Sequence, residues 1–579
     1  MFEKRMPEGD RVVWSVRPRD REAEATLAEA VGVSRVVAGL LRQRGITTPQ
    51  AACVYLSPSP EGLGDPSRLP DIDEAVRLIN EAVDHRRTVL VHGDYDVDGL
   101  TATALLVRFL SKLGANVEYF VPHRVHDHYG LSVKAIEEAA ATGASLAIAV
   151  DCGTRDLRAI ARAQELQLPV IVIDHHEPGE TLPPAAAIVN PKRADADYPN
   201  RELSAAGLAF QVARAVAAAR GLDDRYIQRA FIDLAAMGTI ADVVPLVGEN
   251  RALAAVGLAH LGQTKKLGLQ TLLNLCGITG RPLAEHVAFR LGPRINAAGR
   301  LADAHPALQL LLTSDRDEAN RTALYLDSVN RQRQQEQSAI CDGARAMIER
   351  EVDLAATAAI VLASESWHVG VVGIAASQMV ALYGRPVILL AASDGIARGS
   401  GRSIPGFHLA GALDQCADLL VRHGGHAMAV GATLRLENLE PLRCRLNGVA
   451  RQEIDPEALQ PRLEIDAGVE LSEVTGELAQ ELTRMEPFGN GNPEPALAVF
   501  GAQVVDRTIV GRDGQHLKVW VTDGNYRYEC IGFGLSREAA WLSRGEAVDL
   551  CFMPQINDFG GSRALQLRLH AIRRAVGDG

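Results

Sequence analysis

Short apolar runs at 88–91, 117–121, 146–150 and 170–173 alternate with stretches whose apolar positions recur at helical spacing. The first of these runs, Thr88 to Val91, is β-branched and apolar, as in a parallel strand buried on both faces. Strand and helix in alternation predict an α/β fold with a parallel, doubly wound sheet. The first run is followed by a helical pattern at 100–113, with Gly99 as the turn between them. Residues 1–75 mix helical patterns with turn signals such as SPSPEGLGDP (57–66) and read as a helical lead-in to a first α/β domain at 76–315, whose second half, 203–312, is mainly helical. Residues 316–352 are polar, rich in glutamine and arginine, and hold one glycine, Gly343, which predicts a long connecting helix. A smaller α/β domain is expected at 353–455, with strands at 358–362 and 386–390 around a helix at 371–383. From 456 to 579 short strands at 516–521, 526–531 and 564–569, broken by Gly, Asp and Asn, predict an all-β barrel.

With 579 residues, 47% hydrophobic and 23% charged, the chain has the composition of an ordinary globular protein of several domains. Its formal net charge of −12 excludes a uniformly basic surface, but a basic groove can coexist with an acidic exterior, so nucleic acid stays open as a substrate. The eight cysteines are scattered without a CxxC pair, which reads as reduced thiols and a cytoplasmic location. No apolar run approaches the ~18 residues of a membrane span, and no membrane partner is expected.

The candidate chemistry sits where the strands stop. Asp96 and Asp98 in GDYDVDG follow the first run, and their spacing of two would place them on one side of an extended backbone. Asp151 follows LAIAV, and Asp174, His175 and His176 follow VIVI. Asp242, in GTIADVVPL, ends a helical region. Each acid alone is as well explained as a turn or cap residue. Together, at the ligand-binding edge of one α/β sheet, they can be buried side by side only if a cation or hydrogen-bond donors compensate, and the convergence favours a divalent metal. Oxygen donors with one or two imidazoles suit Mn2+ or Mg2+, and two such ions ~3.5–4 Å apart would stabilise an in-line displacement at phosphorus.

GDYDVDG, VDCGT, DHH and GTIADVVPL, in this order, resemble the DHH phosphoesterase superfamily. LGPRINAAGRL (291–301), GSGRSIPGFHL (399–409), GGHAMAVG (424–431) and MEPFGNGNPEP (485–495) are similar to the bacterial single-strand-specific exonucleases of the RecJ family. The resemblance implies DHH, DHHA1 and OB-fold domains and a 5′ to 3′ exonuclease that releases 5′-mononucleotides from single-stranded DNA in recombination and repair. By position it makes Asp96, Asp98, Asp151, His175 and Asp242 metal ligands, with Asp98 and Asp151 also catalytic and His176 near the scissile phosphate. His92 falls where some superfamily members place a ligand, though as a lone histidine it fits a packed strand end equally well. Arg124, Arg294, Ser400, Arg402 and His426 would contact DNA phosphates, for which arginine forks and glycine-rich loops are suited. Gln378 and His128 depart from the family pattern at places expected to touch DNA. A monomer is expected, with single-strand binding protein and a RecQ-type helicase as partners. The alternatives are a relative cleaving short oligonucleotides or cyclic dinucleotides, which would lack the C-terminal barrel, and a non-catalytic replication scaffold, which would have lost the acids.

Overall fold

Four of the apolar runs become neighbouring strands of one parallel sheet, and a fifth strand, Ala187–Val189, completes it. The order across the sheet is Asn116–Phe120, Thr88–His92, Leu146–Val150, Val170–Ile173, Ala187–Val189. The structure is a computed structural model that describes residues 12–123, 130–460, 462–557 and 563–576. These residues fall into two units, of which one comprises Cys53–Arg331 with Met485–Glu494 and contains this sheet.

Alternate side chains of the central strands enter different cores. Val89, Val91, Ile148, Val150, Ile171 and Ile173 pack with the helices Val97–Leu113, Ala205–Ala219 and Asp224–Ala241. Leu90, Ala147, Ala149, Val170 and Val172 face Ile136 and Ile160 of the helices Val133–Ala141 and Leu157–Glu165. Burial on both faces is why these strands read as unbroken apolar runs. From Thr88–His92 the chain goes to one neighbouring strand, Asn116–Phe120, and returns to the other, Leu146–Val150. This reversal leaves a crevice at the strands' carboxyl ends, the place where such sheets bind ligands.

The first helix begins earlier than its apolar pattern suggests. Asp96 is its N-cap, accepting hydrogen bonds from the backbone N–H groups of Asp98 (2.9 Å) and Gly99 (3.1 Å). Gly99 therefore lies in the first helical turn rather than in a turn before it, and Asp98 is helical, so the extended-backbone argument for pairing it with Asp96 does not apply. Gly99 is needed for close approach: a Cβ there would stand 2.7 Å from the backbone N and O of Asp94.

The long polar stretch is a single helix, Arg316–Glu351. In the second unit, Arg422–Gly425, Ala429–Arg435, Ile396–Arg402, Val387–Ser393 and Ile360–Ser364 form a mixed sheet in that order. GSGRS is thus part of a strand and not a phosphate-binding loop. Gly399 is required because a Cβ would meet the Leu389 carbonyl oxygen at 1.9 Å on the adjacent strand. Residues 424–426 belong to a β-hairpin rather than a turn into a helix, with the His426 N–H donating to the Ala429 carbonyl at 2.9 Å.

The C-terminal barrel is formed by Leu497–Val510, His516–Thr522, Arg527–Gly532, Ala564–Arg574 and Ala547–Asn557, and it closes because the first of these also pairs with the last. Leu497–Val510 serves two neighbours by bending at irregularities between Val499 and Ala502 and between Val504 and Asp506. At the other end of the chain, the stretch read as a helical lead-in also includes the strand Val13–Val16, which pairs in parallel with Arg462–Ile465.

Two glycine-to-alanine changes inside helices should have opposite signs. Gly99→Ala is expected to cost about 1–3 kcal/mol through overpacking against Asp94. Gly448→Ala, within Leu439–Glu453 and with open space around it, should stabilise by about 0.5–1 kcal/mol. Urea unfolding of both variants checks the pair.

Candidate metal centre

The acids converge because their strands end side by side. Asp94 lies two residues beyond the strand Thr88–His92, followed by the N-cap Asp96 and by Asp98 in the first helical turn. Asp151 is the residue after Leu146–Val150, held by its N–H on the Ile173 carbonyl (3.0 Å) and adopting the left-handed backbone at φ 64°. Aspartate tolerates that conformation better than most residues, and it turns the chain away at the strand end. Asp174, His175 and His176 follow Val170–Ile173, and Asp242 caps the helix Asp224–Ala241.

Three clusters result, in each of which one donor atom per residue lies within 4.8 Å of the others: Asp94, Asp96 and Asp151; Asp98, His175 and Asp242; and Asp151, His175 and His176. His175 Nε2 is 3.3 Å from Asp151, 3.7 Å from Asp242 and 3.9 Å from Asp98. Carboxylates and imidazoles so disposed form a donor set suited to Mn2+ or Mg2+.

Neighbouring groups hold Asp98 and the two histidines in place. The N-terminal amides of Ala205–Ala219 grip Asp98, with Ala205 N–H donating to one oxygen at 2.7 Å and Ala206 N–H to the other at 2.9 Å. Asp174 orients the histidines: its Oδ1 accepts from the N–H of His175 (2.8 Å) and from Nδ1 of His176 (2.7 Å), and its Oδ2 from the Thr154 N–H (3.0 Å). Asn190 donates to the His176 carbonyl at 2.9 Å. Asn296, in the PRINAAGR segment, accepts from the Val97 N–H at 3.0 Å and so holds the start of the helix that carries Asp98.

The electrostatics record the crowding. Burial first, and then the charge of Asp96, push the Asp98 carboxyl up to about 7. Burial, and then Asp98 and Asp96, push Asp242 up to about 8. Asp151 is raised well above the ordinary carboxylate range, again by burial and then by Asp96 and Asp98. Burial lowers His175 to about 3, with the charge of His176 adding to it. Burial opposes the charge on His176 too, but the hydrogen bond and charge of Asp174 outweigh it and raise the imidazole. Asp174 itself ends well below its ordinary range, because hydrogen bonds and the two histidines overcome its burial.

Other expected residues are placed differently. His92 is fully buried, packs against Phe120 in a tilted arrangement with ring centroids 5.0 Å apart, and its Nε2 accepts the Ser132 N–H at 3.2 Å. An N–H can only donate, so the ring proton lies on Nδ1, which faces Cys152 Sγ at 3.7 Å. The structure does not bring His92 into any of the three clusters. Arg294 is ion-paired with the buried Asp327 at 2.9 Å. Ser400 and Arg402 flank the first turn of the helix Val372–Tyr383, where a Cβ on Gly373 would be 3.3 Å from Ser400 Oγ and 3.4 Å from an Arg402 guanidinium nitrogen. His426 is exposed on its hairpin. Arg124 and His128 lie outside the described residues. Asp94 is the site residue that the sequence reading lacks; the alternation of acids through Asp94, Asp96 and Asp98 was the available signal.

Comparison with known proteins agrees with this arrangement. The DHH family N-terminal domain matches residues 88–239, the DHHA1 domain 355–452 and the RecJ OB domain 465–571. Acids gathered at the switch point of a DHH sheet define the class, a metal-dependent hydrolase. The single-stranded-DNA-specific exonuclease RecJ of Bacillus subtilis is 37% identical over 96% of this chain and 70% of its own length. The RecJ exonuclease of Escherichia coli is 34% identical over 95% of this chain and 98% of its own. A crystal structure of RecJ in complex with Mn2+ from Thermus thermophilus superposes with a TM-score of 0.83 at 32% identity, over 98% of this chain and 80% of that one, and a Mg2+ complex from the same organism matches at 0.77. The chain belongs to the RecJ family of single-stranded-DNA-specific exonucleases.

The raised carboxyls give a pH dependence with a definite sign. A carboxyl that titrates at about 4 in the unfolded chain and at about 7 for Asp98 or about 8 for Asp242 in the fold contributes stability that is complete below ~4 and is lost as pH rises through the folded values. A divalent cation replaces those protons. The increase in melting temperature on adding Mn2+ should therefore be clearly larger at about pH 8 than at about pH 5.5, as differential scanning fluorimetry would measure. An increase independent of pH would mean that these carboxylates do not bind the ion.

Proposed function

We propose that this protein removes nucleotides from the 5′ end of single-stranded DNA, releasing 5′-mononucleotides, at a centre in which Asp94, Asp96, Asp98, Asp151, His175 and Asp242 hold two divalent cations, Mn2+ or Mg2+. The observation that carries the reading is the convergence of these side chains at the strand ends of a DHH sheet. Similarity to RecJ exonucleases over nearly the whole chain, a matching OB domain included, supports a polymeric single strand rather than a short oligonucleotide or cyclic dinucleotide. When bound, the cations supply Lewis-acid stabilisation of the attacking and leaving oxygens in a displacement at phosphorus.

The residues around them have distinct tasks. Asp151 shares one cluster with Asp94 and Asp96 and another with His175, which in turn shares one with Asp98 and Asp242, and the helix amides fix Asp98. His176 donates its Nδ1 proton to Asp174, which shifts the imidazole toward its charged form, and it is suited to sit beside a phosphate oxygen of the scissile bond. Ser400 and Arg402, beside the amino end of Val372–Tyr383, suit a terminal phosphate. Arg124 and His426 are further phosphate contacts in this reading, and Arg294, held by Asp327, is a fixed positive charge. Membership of the family supports a role in DNA recombination and repair in the bacterial cytoplasm, as a monomer working with single-strand binding protein and a RecQ-type helicase. Among the described residues no helix is long and apolar enough to cross a membrane.

End-labelled substrates test the polarity and the centre together. With Mn2+, a 5′-labelled single strand should yield labelled mononucleotide at once, while a 3′-labelled strand shortens gradually. Mononucleotide appearing first from the 3′ label would refute the polarity, and a duplex degraded as fast as a single strand would refute the strand preference. Asp98→Ala should abolish release while leaving strand binding, measured by fluorescence anisotropy, unchanged.

A further inference from the structure

The segment Met485–Glu494 belongs to the catalytic unit although the chain on either side of it belongs to the other unit. It covers the MEPFGNGNPEP motif but for the final proline, and it lies against the loop that leaves the candidate ligand Asp242. The next residue, Val243, has φ 62°, a left-handed conformation that a β-branched side chain strongly disfavours. Asn490 holds it there from outside: its side-chain amide donates to the Val243 carbonyl at 2.8 Å, and its own carbonyl accepts the Leu246 N–H at 2.7 Å. The flanking glycines permit the approach. A Cβ on Gly489 would be 2.7 Å from Leu246 Cδ1, and one on Gly491, itself at φ 71°, would be 3.0 Å from Pro245.

The segment is in turn anchored. Asn492 donates to the carbonyls of Met485 (2.9 Å) and Pro487 (2.8 Å) and accepts the Tyr55 hydroxyl at 2.6 Å. The buried guanidinium of Arg251 donates to the carbonyls of Met485 (2.8 Å) and Glu486 (2.7 Å) and lies over the Tyr55 ring at 3.9 Å. Asn490 is thus presented by a fixed strap, not by a loose loop.

We propose that Asn490 is a positioning residue for the metal centre: by holding the Val243 carbonyl, in the peptide that joins Val243 to Val244, it keeps Val243 in the left-handed conformation in which the chain leaves the helix end, where the Val243 N–H donates to the Ile240 carbonyl at 3.3 Å, and so keeps the Asp242 carboxylate aimed at the cations. The inference rests on the reading of Asp242 as a ligand. Without the clamp, Val243 relaxes to an ordinary negative φ, the helix end that carries Asp242 shifts with it, and the carboxylate leaves its place 3.7 Å from His175 Nε2.

Direct Mn2+ binding, followed by the electron paramagnetic resonance of free Mn2+, tests this independently of activity in the full-length protein. Asn490→Ala should weaken binding by about tenfold or more, in the range found for residues that orient metal ligands. Val243→Gly, which adopts the left-handed conformation without strain, should restore most of the affinity when combined with Asn490→Ala. Asp242→Ala serves as the reference. If Asp242→Ala weakens binding and Asn490→Ala does not, the clamp is refuted while the centre stands. Weak binding by Asn490→Ala that Val243→Gly fails to rescue also overturns the clamp, since the loss then comes from general damage. Undiminished binding by Asp242→Ala removes the ligand reading, and the clamp with it.

Discussion

Mutual repulsion among buried carboxylates is the constraint around which the catalytic unit is arranged. Two unit charges 4 Å apart at a protein-like dielectric repel by roughly 4 kcal/mol, and Asp98, Asp151 and Asp242 all stand within reach of one another's field. What keeps them together is mostly backbone. Two amides at the start of Ala205–Ala219 face Asp98, and Gly238 leaves room for it, since a Cβ there would lie 2.4 Å from an Asp98 oxygen. Asn296 secures the neighbouring helix start. The strands supply position, the helix ends supply partial positive charge, and cations complete the neutralisation.

The same economy explains the two histidines of the DHH run. They are adjacent in sequence, yet burial and the neighbouring His176 keep His175 neutral and able to donate a lone pair, whereas Asp174 draws His176 toward the charged form. Asp174 bonds the ring of His176 but the backbone N–H of His175, and this difference, with the deeper burial of His175, divides two like side chains between two kinds of task.

How much was legible in the sequence depended on how local the cause was. The central strands could be read because burial on both faces leaves an unbroken apolar run, and Arg316–Glu351 because helical spacing persists through a polar stretch with one glycine. Ala187–Val189, only three residues long, gave too short a period to stand out. GSGRS resembled a loop because glycine is common in loops, but Gly399 answers to the backbone of a neighbouring strand, which no local pattern reports. The acids at 96, 98, 151 and 242 and the DHH histidines were visible as strand-end and helix-end residues. Asp94 was overshadowed by its neighbours, and the burial of His92 against Phe120 and Ser132 is a tertiary fact.

The strap also bears on how the protein is made. Cys53–Arg331 supplies the sheet, the helices and every candidate ligand, yet the unit is not closed until Met485–Glu494 joins it. During synthesis that short segment leaves the ribosome long after the rest, behind the connecting helix and the second α/β sheet. A chain that stopped before residue 485 would have all these acids and lack the segment that packs beside Asp242, so the catalytic unit depends on residues encoded after the second α/β sheet.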